Sequence, residues 1–358
     1  MSKQNFNVVF AVDSNFLKLA TVCIYSLLKN NTLHYFNIFL LTDNPQSLEH
    51  IYTIIAKKPF SNYSNFSINI IKPITQDYIK DYINKFESTI DDKFLWSKEI
   101  QYKLFLPIIF PNLDKILFLD ADVIINGDIT DLLNTNMDNY FFCGDNVSKM
   151  IEHNNKVIFK YARDTTAPVA SPNMIKNTNF NTINMRTNNA DNTIHINAGV
   201  VLFNLKHLRE NNAWVKLVES NMIDEGAINS VFSSKVLAAP LGYILTNHVI
   251  YFQPYNKNDA KIIHLNAVKP WVLDRNLSLK GRGVGIWYKY LGDLIVPRYY
   301  IIYWLIKWYA LTMGGFFGNI ERRLKMSYYK FTLGYKKPNK STILSKIVFV
   351  FSIINKKT

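Results

Sequence analysis

Cysteine is nearly absent: the chain of 358 residues has two, Cys23 and Cys143. Both lie in apolar surroundings without neighbours at metal-ligand spacing, which argues against a disulfide framework or a cysteine metal centre. A reducing compartment is the expected setting. An apolar run of spanning length is also lacking. In the aromatic C-terminal region the longest uncharged run, Trp308–Ile320, stops at 13 residues, against the roughly 20 that a bilayer requires. The last apolar stretch, Ile347–Asn355, is shorter still. The opening MSKQNFNVVFAVDSN has no apolar core of signal-peptide length and no small-residue cleavage site, so the chain is expected to stay in the cytoplasm. No internal repeat is present, and no nucleic-acid recognition motif.

What is present is enough apolar content, 48%, for one large or two medium domains. The net charge of +14 is unevenly placed. Residues 1–268 hold 24 basic and 24 acidic residues, whereas 269–358 hold 17 basic and 3 acidic. The whole excess sits in the last quarter. With the Gly281-Arg-Gly-Val-Gly285 break, this predicts a boundary near Asp274–Gly283, between a domain over 1–275 and a region over 276–358. The Asn- and Thr-rich stretch 146–194 has little periodicity and reads as a long loop or lid.

The first 270 residues alternate in type. Strands are expected over Asn7–Val12, Phe36–Leu41 and Phe66–Ile71. Helices are expected from Ser14–Asn15 to Leu28, over Ser47–Ala56 and over Trp96–Ile109. Alternation of this kind predicts a largely parallel sheet covered on both faces. The run Lys115–Asn126 then places Asp120 and Asp122 between two apolar strand segments. Two carboxylates desolvated there cost several kcal/mol unless compensated, and a hard cation is the usual compensation. Since α/β sheets bind ligands at carboxyl strand ends, the pair suggests a metal that holds a diphosphate. A polar turn between strands is the plainer reading. Asp13, ending the first strand, falls on the same sheet edge.

Four segments in order, VVFAVDSNF (8–16), LFLDADVIINGDI (117–129), HINAGVVLFNL (195–205) and HLNAVKPW (264–271), resemble the family 8 glycosyltransferases. The likeness covers roughly residues 7–271 and is nearest to bacterial lipopolysaccharide and lipooligosaccharide galactosyl- and glucosyltransferases. It implies a GT-A fold, a Rossmann-like, mostly parallel nucleotide-binding α/β domain, here followed by a basic aromatic helical tail. It also implies a UDP-hexose donor, retention of configuration, and Mn²⁺ or Mg²⁺ held by Asp120, Asp122 and His264. An imidazole beside two carboxylates favours Mn²⁺ over Mg²⁺; the plainer reading of His264 is a packed core histidine. By the same resemblance Ala11, Asp13, Asn15, Phe16 and Ala121 line the donor pocket, Asp13 meeting uracil and Phe16 stacking on it. Asp13 also reads as a helix N-cap. Lys103 falls at a sugar- and phosphate-contacting position, and Lys269 where a point charge meets the diphosphate. Asn197 and Gly199 allow close approach to the donor sugar, or form a bulge at a strand start. Asp224 and Glu225 fall beside the sugar and Asp145 on the acceptor side. The plainer readings are helix capping for Asp224 and an exposed turn for Asp145.

The chain departs from the family pattern in three places. Lys103 stands where an Arg is usual, Gly226 replaces the second Asp of Asp-Gln-Asp, and the His264–Lys269 segment is one residue short and lacks its Gly. Residues 287–335 contain fifteen aromatics threaded with Arg298, Lys307, Arg322, Arg323 and Lys325. That is the composition of an interfacial anchor, with single-stranded nucleic-acid binding or burial against protein as rivals. The combined expectation is a cytoplasmic hexosyltransferase peripheral on the inner face of the membrane. Its partners are a UDP-sugar, a glycolipid or oligosaccharide acceptor and an anionic surface, with no nucleic acid. A glycogenin-like self-glucosylating initiator and an inactive nucleotide-sugar scaffold are the alternatives.

Overall fold

The computed structural model describes residues 2–73, 79, 81, 82, 84, 98–146, 151–153, 156–158, 194–220, 222, 224–240, 243–246, 260–266 and 284–294. The chain divides into two compact units, Met1–Ala267 and Val268–Thr358. In the first unit the strands are β1 (Asn5–Ala11), β2 (Tyr35–Leu41), β3 (Phe66–Ile71), β4 (Lys115–Leu119), β5 (Val123–Ile125) and β6 (Phe142–Asn146). They continue with β7 (Ile151–His153), β8 (Lys156–Ile158), β9 (Ile196–Asn204), β10 (Val236–Ala238), β11 (Ile244–Thr246) and β12 (Ile262–His264).

Seven strands form the main sheet in the order β10-β6-β9-β4-β1-β2-β3. β1 is parallel to β2 and β4, β2 to β3, and β6 to β10, while β9 is antiparallel to both β4 and β6. The sheet is thus mostly parallel, as the alternation of strands and helices predicts. Ile116–Leu119 and Ile196–Phe203 are buried without interruption, the pattern of strands covered on both faces. A smaller sheet, β11-β12-β5, and the hairpin β7–β8 complete the pairing among the described residues.

The helix Leu17–Asn30 is buried from Leu17 through Leu28, so its polar groups need partners inside. Thr21 Oγ donates to Leu17 O, and Ser26 Oγ donates to Cys23 O while accepting from Ile125 N. Asn30 donates to Ile125 O, and Asn31 accepts from Ile129 N. These bonds fasten the helix to β5 and so fix the turn that carries Asp120 and Asp122. The helix expected over Trp96–Ile109 is instead a 3-10 segment, Lys98–Phe105, followed by a single α-turn, Leu106–Ile109. Pro107 has no amide proton to give the carbonyl four residues back, at Lys103, and its ring crowds that carbonyl, so the α-turn begins at Leu106 with the proline in its first turn, where it is tolerated. Both cysteines are free and buried. Burial pushes the Cys143 thiol up to about 12 and raises that of Cys23 as well, so neither is a thiolate nucleophile.

In the second unit the described element is the helix Val284–Leu294. Most of the 287–335 stretch read as an interfacial anchor and most of the 146–194 lid lie outside the described residues. Among those described, no helix is long and apolar enough to cross a membrane.

Candidate metal and donor site

β4 ends at Leu119, and the chain turns through Asp120-Ala121-Asp122 into β5. Two backbone hydrogen bonds hold the turn: Asp120 N donates to Gly199 O at 2.8 Å, and Leu265 N donates to Asp122 O at 2.9 Å. β5 pairs antiparallel with β12, placing Val123 opposite His264. Strand pairing therefore delivers the imidazole to the carboxylates. His264 Nε2 lies 3.2 Å from Asp122 Oδ1 and 3.6 Å from Asp120 Oδ2, and one ligand atom from each residue falls within 4.8 Å of the others.

This arrangement fits a divalent cation. His264 is 2% exposed, yet neither ring nitrogen has a hydrogen-bond partner among the described residues, and Asp120 Oδ1 has none either. A packed core histidine would satisfy at least one nitrogen. Gly199 adds a steric observation: a Cβ there would overlap His264 Cε1 and sit 2.6 Å from Asp120 Oδ2. The β9 backbone thus lies flush against the triad. Burial pushes the Asp120 carboxyl above its usual range; Lys103 opposes that and Asp122 adds to it.

Lys103 lies behind this cluster with no exposed surface. Its Nζ donates to Asp224 Oδ2 at 2.6 Å and to Ala198 O at 3.0 Å, and it lies 3.6 Å from Asp120 Oδ1. Burial alone lowers the pKa of its ammonium, but Asp120 and Asp224 outweigh that and leave it above the ordinary lysine value. Asp224 and Glu225 open the helix Asp224–Phe232. Glu225 Oε2 accepts from Asn197 Nδ2 at 2.9 Å and from Ala198 N at 3.4 Å. Asn197 Oδ1 in turn accepts from Gly199 N at 3.0 Å. The segment 197–199 is therefore gripped from both sides.

Asn229 escapes a reading of the sequence. Its amide exchanges hydrogen bonds with both backbone groups of Ile196, each 2.8 Å, and donates to Glu225 O. It clips the Asp224–Phe232 helix to the start of β9. An Asn on the buried face of a helix is the available signal, and it does not reveal its partner. Thr246, equally silent in sequence, donates to Asp145 Oδ2 at 2.6 Å and pairs in register with His264.

The structure thus brings Asp120, Asp122, His264, Lys103, Asp224, Glu225 and Asn197 into one connected group. Ala121 is buried within the turn, and Asp145 is the last residue but one of β6. Asp13, Asn15 and Phe16 follow β1, where Ala11 is buried. Asp13 Oδ1 accepts from Asn15 N at 2.8 Å and Phe16 N at 2.9 Å, the geometry of a capping turn. No hydrogen bond among the described residues joins this turn to the metal cluster. Lys269 lies outside the described residues.

Residues 7–274 match the family model described as Glycosyl transferase family 8. No curated protein sequence matches. Among solved structures, the bifunctional glycosyltransferase WbbM superposes with a TM-score of 0.51 at 18% identity. That match takes in 82% of this chain but half of WbbM. The galactosyltransferase LgtC, solved with donor and acceptor sugar analogues, gives 0.52 at 17% identity over 81% of this chain and 97% of its own. GlyE of Streptococcus pneumoniae TIGR4 gives 0.50 at 17% over 85% and 64%. All three share the GT-A arrangement of a mostly parallel sheet.

Proposed function

The chain belongs to glycosyltransferase family 8, and from that membership we propose metal-dependent transfer of galactose or glucose from its UDP derivative to a hydroxyl of a lipid-linked saccharide, with retention of configuration. The observation that carries this reading is the convergence of Asp120, Asp122 and His264 at the carboxyl edge of the sheet, beside the carboxylates of Asp224 and Glu225. A divalent cation held by the three supplies Lewis-acid stabilisation for charge gathering on the leaving nucleoside diphosphate. Ala11, Asp13, Asn15, Phe16 and Ala121 line the uridine side, with Lys269 meeting the diphosphate as a point charge. Asp224 and Asn197 orient the hexose, and Asp145, steadied by Thr246, faces the acceptor.

We assign the front-face route. The bond from the anomeric carbon to the diphosphate oxygen breaks, the acceptor oxygen bonds to the same face, and the hydroxyl proton passes to the leaving phosphate. Glu225 is the rival nucleophile. Its Oε2 is occupied by the Asn197 amide and the Ala198 N–H, which blunts it for attack and supports a positioning role. Glu225→Gln keeps an acceptor oxygen for those bonds, so turnover should stay within about tenfold of wild type. A drop of about a thousandfold, the scale of a lost nucleophile, with UDP binding intact would force a double displacement.

The function itself is tested by incubating the protein and Mn²⁺ with UDP-galactose and UDP-glucose, with and without glycolipid. UDP release above background, raised by glycolipid, is expected. Release without any acceptor but with label on the protein would indicate self-glucosylation, and no release with either donor would indicate a scaffold. The basic aromatic tail suits peripheral attachment to the inner face of the membrane, since each Lys or Arg near an anionic surface is worth roughly 1 kcal/mol. A chain ending at Arg275 should then partition to the soluble fraction and keep donor hydrolysis. The full chain should bind anionic vesicles and leave them at high salt, where charge is screened over a few ångströms. An insoluble truncated chain would show that the tail is buried instead.

A further inference from the structure

We propose that Lys103 is a positioning residue that locks the metal-side carboxylate Asp120 and the sugar-side carboxylate Asp224 into one unit without touching donor or acceptor. The proposal rests on the metal reading of Asp120, Asp122 and His264 and adds to it the device that holds both halves of the site in register. An ammonium has three donor directions. Two are donated, to Asp224 Oδ2 at 2.6 Å and to Ala198 O at 3.0 Å, and the ammonium also faces Asp120 Oδ1 in an ion-pair contact at 3.6 Å. The Phe118 ring covers a further side, with its centroid 4.2 Å from Nζ. The residue is fully buried, so it presents no surface to a ligand.

Its position is also structurally central. Lys103 holds the carbonyl of Ala198 while Glu225 holds the N–H of the same residue. The next residue, Gly199, packs against His264 and Asp120 and accepts from Asp120 N. Loss of the ammonium therefore frees Asp224 and β9 from their register with the metal ligands, which stay joined to one another through the turn, β5 and β12. A lysine suits this place better than an arginine, because a compact point charge can sit among three oxygens and a ring where a planar fork needs more room.

Electrostatics gives the test an unusual sign. The ammonium sits close to Asp120 and repels any cation that Asp120 holds, so its removal does not weaken the cation electrostatically. A ligand-contacting lysine predicts a raised KM, and a general structural defect predicts lost metal binding. A positioning lysine predicts neither.

The experiment uses the full chain, Mn²⁺ titration followed by electron paramagnetic resonance, and kcat and KM with UDP-galactose. For Lys103→Met we expect an Mn²⁺ dissociation constant equal to or smaller than wild type. KM should stay within about threefold, while kcat falls by about 10–100-fold, the range for residues that orient metal-site ligands. Weakened Mn²⁺ binding, a raised KM with kcat kept, or three unchanged parameters would each overturn the proposal. If Lys103→Met does not fold, the double variant Lys103→Met with Asp224→Asn removes the uncompensated carboxylate. It should fold and bind Mn²⁺ at least as tightly as wild type with kcat still low, and wild-type kcat in it would overturn the proposal. The thermal unfolding midpoints of the two single variants and the double give a reading independent of turnover: losses should be strongly non-additive, and additive losses would count against the lock. Wild-type protein that binds no Mn²⁺ would sink the metal reading instead, leaving that cycle to decide Lys103.

Discussion

Asp122→Ala should abolish transfer while leaving the protein folded. The loss expected is roughly a thousandfold or more, because metal stabilisation of a leaving group is worth several kcal/mol and each 1.36 kcal/mol is a decade of rate. The fold should survive because the Asp122 backbone carbonyl, rather than its side chain, receives Leu265 N and joins the turn to β12. The carboxylate itself, 4% exposed and 3.2 Å from His264 Nε2, is the part that a cation requires. Steady-state kinetics with UDP-galactose and a thermal melt check both halves. Retained turnover would remove Asp122 from the metal site, and a collapsed melt would mean that the carboxylate serves the fold.

Gly199→Ala should be nearly as damaging, although it adds one methyl group. That carbon would overlap His264 Cε1 and stand 2.7 Å from His264 Nε2. The strand has little freedom to yield, because Gly199 O accepts from Asp120 N and Gly199 N donates to Asn197 Oδ1. Overpacking of this sort costs about 1–3 kcal/mol in stability. The greater effect falls on ligand geometry, where a displacement near 1 Å costs about a hundredfold in rate. We expect at least that loss in turnover, with Mn²⁺ affinity lowered in parallel. Wild-type affinity in Gly199→Ala would show that β9 can retreat and that the close approach has no role in the site.

The sequence made the sheet legible wherever apolar residues ran unbroken between turn signals. Phe66–Ile71 is a strand over its expected span, and β1 and β2 differ from expectation only at their ends. The helix expected over Trp96–Ile109 was misjudged, because apolar periodicity persists through a 3-10 segment and gives no warning of the constraint at Pro107. Within the site, the Asp-x-Asp turn stood out because carboxylates inside an apolar run demand an explanation. His264 became visible through the motif following it. Lys103 was legible only as a charge near the site. Its burial under Phe118 and its bond to Asp224, more than a hundred positions away in the chain, depend on tertiary contacts that no local pattern encodes. Asn229 and Thr246 are hidden for the same reason. Each resembles an ordinary polar residue until the strand that it fastens is known.

The measurement closest to the central claim is a calorimetric titration of UDP into the full chain, with Mn²⁺ present and again after EDTA. If Asp120, Asp122 and His264 hold one cation that carries the diphosphate, UDP should bind with Mn²⁺ and bind far more weakly, or undetectably, once the metal is withdrawn. Equal affinity in the two titrations would contradict the account.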